Sequence, residues 1–234
     1  MIIHGCKPSQ PERSESYSTA ISIISDKSDP HLLQPNSKEI IGRLLCTAYP
    51  DKRVVVRLRS IEDLVMSHTE VLLLKSEIET EGSNRFHDNQ HRNKVIREFY
   101  RAITNAIDSC AAEPQTKELP LSECFKTIVT EIIEIKTTDA IRKELWIFSN
   151  LSENRPGFSA YNSRASSDSI ATLLVADKAP PDSLNGITLV FAYRPSDRDD
   201  DIRFMKMAKA YQLIFETRGA KVIIQSHNKA TSIE

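Results

Sequence analysis

Two hydrophobic periods alternate along this chain. Ala20, Ile21, Ile23 and Ile24 form a short apolar run with strand character that ends abruptly on Asp26-Lys27-Ser28-Asp29-Pro30. Pro35, Asn36 and Ser37 then supply a helix start, and Ile40, Ile41, Leu44, Leu45 and Ala48 recur at helical spacing. Val54, Val55, Val56 and Leu58 predict a second strand, and Val71 to Leu74 a third, joined by the polar segment Ser60 to Glu70. From Lys75 to Asn93 the chain is hydrophilic around Gly82, Ser83 and Asn84, which predicts a loop.

The second half repeats the alternation with longer helices. Val95, Ile96, Phe99, Tyr100, Ile103, Ile107 and Cys110 share one helical face. After Pro120 the same spacing returns at Leu121, Cys124, Phe125, Ile128, Val129, Ile132 and Ile133. Leu145 to Phe148 reads as a buried strand closed by the polar stretch SNLSEN, and Trp146 inside it reads as core. A loop rich in Ser and Asn and a short helix over Ile170 to Ala176 lead to a strand, Ile187 to Tyr193. Asp199 to Asp201 stand where the next helix begins, complementing its positive dipole end. Phe204, Met207, Ala208, Tyr211 and Phe215 give that helix its apolar face, Gly219 stops it, and Val222 to Ile224 form a last strand.

Strands separated by helices at these lengths predict a three-layer α/β fold with a mostly parallel central sheet and helices on both faces. The second and third strands lack an intervening helix, so one strand is expected as an antiparallel edge reached by a hairpin-like connection. Residues 1–18 are polar and aperiodic and read as a leader or tether; residues 19–234 read as a single domain, long enough to bury a sizeable core.

Charge adds little to this picture. Thirty-one basic and 32 acidic side chains nearly cancel and are dispersed, so no basic nucleic-acid footprint is visible and a nucleic-acid partner is not expected. Cys6, Cys46, Cys110 and Cys124 are too irregularly spaced for a disulfide framework or a zinc knuckle, and the last three sit in helical apolar patterns as small buried hydrophobes. No apolar run is long enough to span a bilayer, which predicts no transmembrane segment and a cytoplasmic protein. An alternative comes from Ile3-His4-Gly5-Cys6, similar to the end of a bacterial lipoprotein signal: were the true start upstream, Cys6 would carry a lipid and the domain would work outside the cytoplasm.

The order of elements resembles that of the von Willebrand factor A domain family. ISIISDKSD stands where that family has a first strand ending in Asp-x-Ser-x-Ser, LPLSECFKTI resembles its Thr-Pro-Leu helix entrance, and KELWIFSNLSEN resembles its fourth strand ending in Ser-Asp. GITLVFAY and YQLIFETRGAKVII are similar to its last strand-helix-strand unit. The resemblance implies a binding domain, not an enzyme, whose partner protein docks at the carboxyl edge of the sheet. It also implies a site for magnesium or manganese, which want hard oxygen ligands. Asp26 and Ser28 match the first two ligand positions, but Pro30 replaces a serine, Leu119 a threonine and Asn150 an aspartate. Two matches in five imply a degraded metal site with weak or absent metal dependence. The aspartate just past a strand also caps a turn through its own backbone. Asp29, Ser122, Ser149, Tyr193 and Arg194 fall on the same implied edge as partner-binding candidates.

A second reading makes the chain a metal-dependent hydrolase, a phosphoesterase or nuclease anchored on Asp26. Such sites gather several carboxylates at strand ends, and only Asp197 offers a second. His87 and His91 have a metal-compatible spacing without a glutamate between them, while His31, His68 and His227 have no evident partners. Six glycines form no phosphate-cradling loop, and IFSNLS lacks the glycines of a nucleophile elbow.

Overall fold

A computed structural model describes residues 17–28, 31–47, 54–61, 72–75, 85–112, 123–161 and 164–226. In chain order the elements are β1 (Tyr17–Asp26), α1 (Ser37–Thr47), β2 (Val54–Ile61), β3 (Leu72–Lys75), α2 (Arg85–Ala112), α3 (Cys124–Thr137) and β4 (Ala140–Phe148). There follow β5 (Asn154–Arg155), β6 (Phe158–Ser159), α4 (Ser167–Asp177), β7 (Ile187–Tyr193), α5 (Arg198–Glu216) and β8 (Lys221–Ser226).

Six strands form one sheet in the order β3-β2-β1-β4-β7-β8. Five are parallel, and β3 runs antiparallel along β2 with Val55 opposite Lys75, the expected edge strand. β1 sits centrally, Ile21 facing Val56 of β2 on one side and Glu144 of β4 on the other. The fold is thus a Rossmann-like three-layer α/β arrangement.

Side chains two apart share a face of a strand, and β1 divides its residues accordingly. Ala20 and Ile24 point into a core made with α3, α4 and α5, where Phe125, Ile128, Tyr211 and Phe215 are buried. Ile21 and Ile23 point the other way, into a core made with α1 and α2 through Ile40, Leu44, Phe99 and Ile103. Trp146 belongs to this second core at 2% exposure, and Cys110 and Cys124 are buried thiols.

One polar contact fastens α3 to the sheet. Glu131, on the buried face of α3, accepts from Ser22 Oγ, Arg57 Nε and Arg59 Nε, each at 2.6 Å. A buried carboxylate is tolerated because it is paired and hydrogen-bonded.

Several elements differ from the sequence expectation. β1 begins at Tyr17, so Tyr17 and Ser18 are strand and not leader. β4 begins at Ala140, five residues before its apolar run, because Ala140 to Glu144 pair with β1 at the sheet's amino end, where ladder hydrogen bonds need no apolar side chain. α2 begins at Arg85, inside the stretch read as loop: Arg85 to Asn93 holds one apolar residue, Phe86, and so shows no period, yet no Gly or Pro interrupts it. Within the Ser- and Asn-rich loop, Asn154–Arg155 and Phe158–Ser159 pair as a small antiparallel hairpin around Gly157. Among the described residues, no helix is long and apolar enough to cross a membrane.

Candidate binding cleft at the carboxyl edge of the sheet

From β1 the chain builds outward to β2 and β3, and from β4 it builds the other way to β7 and β8. The reversal between β1 and β4 leaves a crevice at the carboxyl ends of these strands, where α/β sheets take ligands. A cleft of about 150 Å³ lies there, lined by His31 and Leu32 after β1, Asn150 after β4, and Arg194, Ser196 and Asp197 after β7. Tyr161, Asp200 and Arg203 complete its wall.

Asp26 closes β1 with no exposed surface. Its Oδ1 accepts the backbone N–H of Ser28 at 2.9 Å, the turn-capping geometry expected of an aspartate that follows a strand. Its Oδ2 accepts from Ser149 Oγ at 2.6 Å, so the exits of β1 and β4 are tied together. Ser149 Oγ in turn accepts the N–H of Leu151 at 2.9 Å. Leu151 holds a φ of 57°, a left-handed conformation uncommon for a residue with a Cβ, and the serine hydroxyl supports it.

A second carboxylate lies in the same buried layer. Glu153 Oε1 accepts from Tyr211 OH of α5 at 2.9 Å and from the N–H of Phe125 in the first turn of α3. Burial raises the Glu153 acid to about 7, against the pull of the Phe125 and Tyr211 hydrogen bonds. Burial also pushes the Cys124 thiol well up, reinforced by Asp26 and Glu153, so Cys124 is a neutral thiol against Ser149 Oγ at 3.5 Å and no activated nucleophile. The Tyr211 hydroxyl is raised by burial and then by Glu153, and it remains a donor.

The edge candidates separate by exposure. Arg194 is exposed and lines the cleft, and Asn150 lines it at 4% exposure. Ser149 and Tyr193, each 1% exposed, lie beneath the surface and offer a partner almost no contact area. Tyr193 stacks on Phe204 with ring centroids 3.9 Å apart and donates its hydroxyl to Asp200 of the cleft wall. Ser28 is half-buried and donates its backbone N–H to Asp26. Asp29, Ser122, Pro30, Leu119, Cys6, His68 and His227 lie outside the described residues, as do the side chains of His87, His91 and Cys46.

Asp197 caps α5 by accepting the N–H of Asp200 at 2.8 Å and faces the cleft, whereas Asp26 is sealed under it by Ser28 and Ser149. Among the described residues, no three His, Cys, Asp or Glu side chains gather as a metal-ligand group. His31, Tyr161, Arg203, Glu153 and Tyr211 were not singled out as site residues by sequence reasoning. Tyr211 and Glu153 read as a helix face and a loop, and only their convergence from α5 and the β4 exit makes them a pair. No protein-family model matches the chain, and no curated protein matches it.

Proposed function

We propose that this chain is a non-catalytic binding domain of von Willebrand A type that recognises a partner protein at the carboxyl edge of its sheet, with weak or absent metal dependence. The observation that carries this reading is the state of Asp26. Both of its carboxylate oxygens accept hydrogen bonds from the chain itself, from Ser28 N and Ser149 Oγ. Hydrogen bonds hold the ligand-facing edge together in the place where an ion would otherwise do so. The strand order and the cleft at the β1 and β4 switch point support the same reading.

Thermal unfolding in EDTA, magnesium and manganese tests the metal dependence, because a ligand bound only by the native state raises apparent stability. The expected result is the same midpoint in all three buffers, with Asp26→Ala lower by an equal amount in each. A metal-dependent rise lost in Asp26→Ala would replace this reading with a metal-bridged one and revive the hydrolase alternative. Partner recognition is tested by immobilising the wild-type chain and Ser196→Arg, which fills the cleft, and comparing the proteins each retains from source cells. A protein held by the wild type in EDTA and lost by Ser196→Arg supports the reading; equal retention by both overturns it.

A further inference from the structure

The exit of β4 converges on one buried side chain. Glu153 is 1% exposed, and its Oε1 accepts from Tyr211 OH of α5 at 2.9 Å and from the N–H of Phe125. Phe125 stands in the first turn of α3, whose N-cap residue Glu123 makes no side-chain cap bond, so the carboxyl of Glu153 serves as the cap from 28 residues away. The Glu153 backbone is pinned separately, its carbonyl accepting the N–H of Ala160 at 2.8 Å. Its side chain is therefore free to move while the chain path holds.

Strain has collected in the same few residues. Leu151 keeps the left-handed φ of 57°. Among the described residues, the two buried side-chain polar atoms without a hydrogen-bond partner are Ser152 Oγ and Arg155 Nε, one on either side of Glu153 in the chain. Nη1 of Arg155 meets Asp177 at 2.6 Å and Nη2 meets Leu173 O at 3.4 Å, both on α4, so the guanidinium is held while Nε stays open as a donor. Two open polar atoms beside a carboxyl that uses neither mark a second position for that carboxyl.

The groups around Glu153 set which position it prefers. It faces the Cys124 thiol and the Glu123 carboxylate from α3, the Tyr211 hydroxyl from α5 and the Arg155 guanidinium from β5. Asp26 of β1 connects to it through Ser149 and Cys124. On its present side the carboxyl touches neutral donors in a site closed to water, where a charge is disfavoured. Burial accordingly raises the acid to about 7, while Arg155, the cation of the group, pulls toward the ionised form.

We propose that Glu153 is a proton-controlled latch on the β4 exit: as the neutral acid it stays on Phe125 and Tyr211, and as the carboxylate it turns to Arg155 Nε and Ser152 Oγ. The proton leaves to solvent, α3 loses its cap, and the turn at Leu151 relaxes. Asn150 follows, because its Oδ1 accepts the N–H of Ser152 at 2.9 Å and its side chain forms part of the cleft wall. The cleft thus has one shape below neutral pH and another above it. This latch acts on the shape of the cleft whatever occupies it, so its failure leaves the binding-domain reading standing.

NMR of the isotope-labelled full chain between about pH 5 and pH 9 tests the latch. It follows the Glu153 side-chain carboxyl carbon, the Phe125 amide, the Arg155 Nε–H and the Asn150 side-chain amide. The expected result is one shared midpoint near 7, with Phe125 losing its acceptor as the Arg155 Nε–H gains one and moves downfield, and Asn150 shifting with them. Glu153→Gln retains an acceptor and does not ionise, so all of these transitions are expected to vanish in it. Arg155→Gln removes both the second position and the cation, and the Glu153 midpoint is expected to rise by about one unit. Unfolding midpoints at pH 5, where the wild-type acid is neutral, verify that both variants are folded. A Glu153 carboxyl that ionises while the Arg155 Nε–H stays still would overturn the exchange of partners, and an Asn150 amide that does not follow would overturn the link to the cleft. An unchanged midpoint in Arg155→Gln, or the same transitions in Glu153→Gln, would overturn the latch altogether.

Discussion

Two buried carboxylates show how position decides what an acid does. Asp26 is held by donors on both oxygens, and removing one donor exposes the other side of that balance. Ser149→Ala removes the hydroxyl that donates to Asp26 Oδ2 and accepts the N–H of Leu151, and the expected loss is about 1–3 kcal/mol in chemical denaturation. Glu153 is raised to about 7, above an ordinary carboxylate at 4.5. Its neutral form is therefore favoured in the folded chain: the associated stability is full below 4.5, falls as pH climbs, and is gone above about 7. Glu153→Gln keeps an acceptor for Phe125 and Tyr211 but does not ionise. Urea midpoints at pH 5 and pH 8 are expected to differ less in the variant than in the wild type, by on the order of 2–3 kcal/mol of unfolding free energy. Equal pH dependence in both proteins would show that Glu153 does not titrate there.

At the scale of elements, helices are attached to this sheet by apolar faces plus a few polar anchors. α3 places Cys124, Phe125, Ile128, Val129, Ile132 and Ile135 in the core and Glu131 against Ser22, Arg57 and Arg59. Glu131→Ala leaves two arginines, each under a fifth exposed, without their main counterion, and the expected cost is about 3–5 kcal/mol by denaturant unfolding. α5 ends where Gly219 takes φ 89° and the N–H of Ala220 returns to Phe215 O. A Cβ at Gly219 would fall 2.0 Å from Asn185 Oδ1, so Gly219→Ala is expected to lower the melting midpoint by several degrees, through both backbone strain and displacement of Asn185. The periods of α3 and α5 were legible because their buried residues recur at helical spacing. The amino-terminal third of α2 and the polar half of β4 were not, because backbone hydrogen bonding continues there without an apolar pattern.

Across the whole molecule, sheet order decides where function can reside. Because β1 and β4 are neighbours whose connections leave in opposite directions, their loops part and the cleft opens between them. The same central strands, paired on both sides and covered on both faces, are expected to exchange amide hydrogens most slowly. β1 and β4 should outlast β3 and β8 in a native-state exchange experiment, and faster exchange at β1 than at β8 would contradict this sheet order.

The apolar periods by themselves determined that strands and helices alternate, that the sheet is mostly parallel, and that β2 and β3 meet as an antiparallel edge. Such patterns record which side of each element is excluded from water, and that exclusion is written locally. Arg194 and Asn150 could be placed at the cleft edge because they follow strand ends, a position that sequence order preserves. The partners of Asp26, the meeting of Glu153 with Tyr211 and the burial of Tyr193 were decided only by tertiary structure. Each depends on side chains from elements far apart in the chain, such as Ser149 for Asp26 and α5 for Glu153. Whether a polar group is paired or left open is settled by what packs beside it, and no local pattern encodes that.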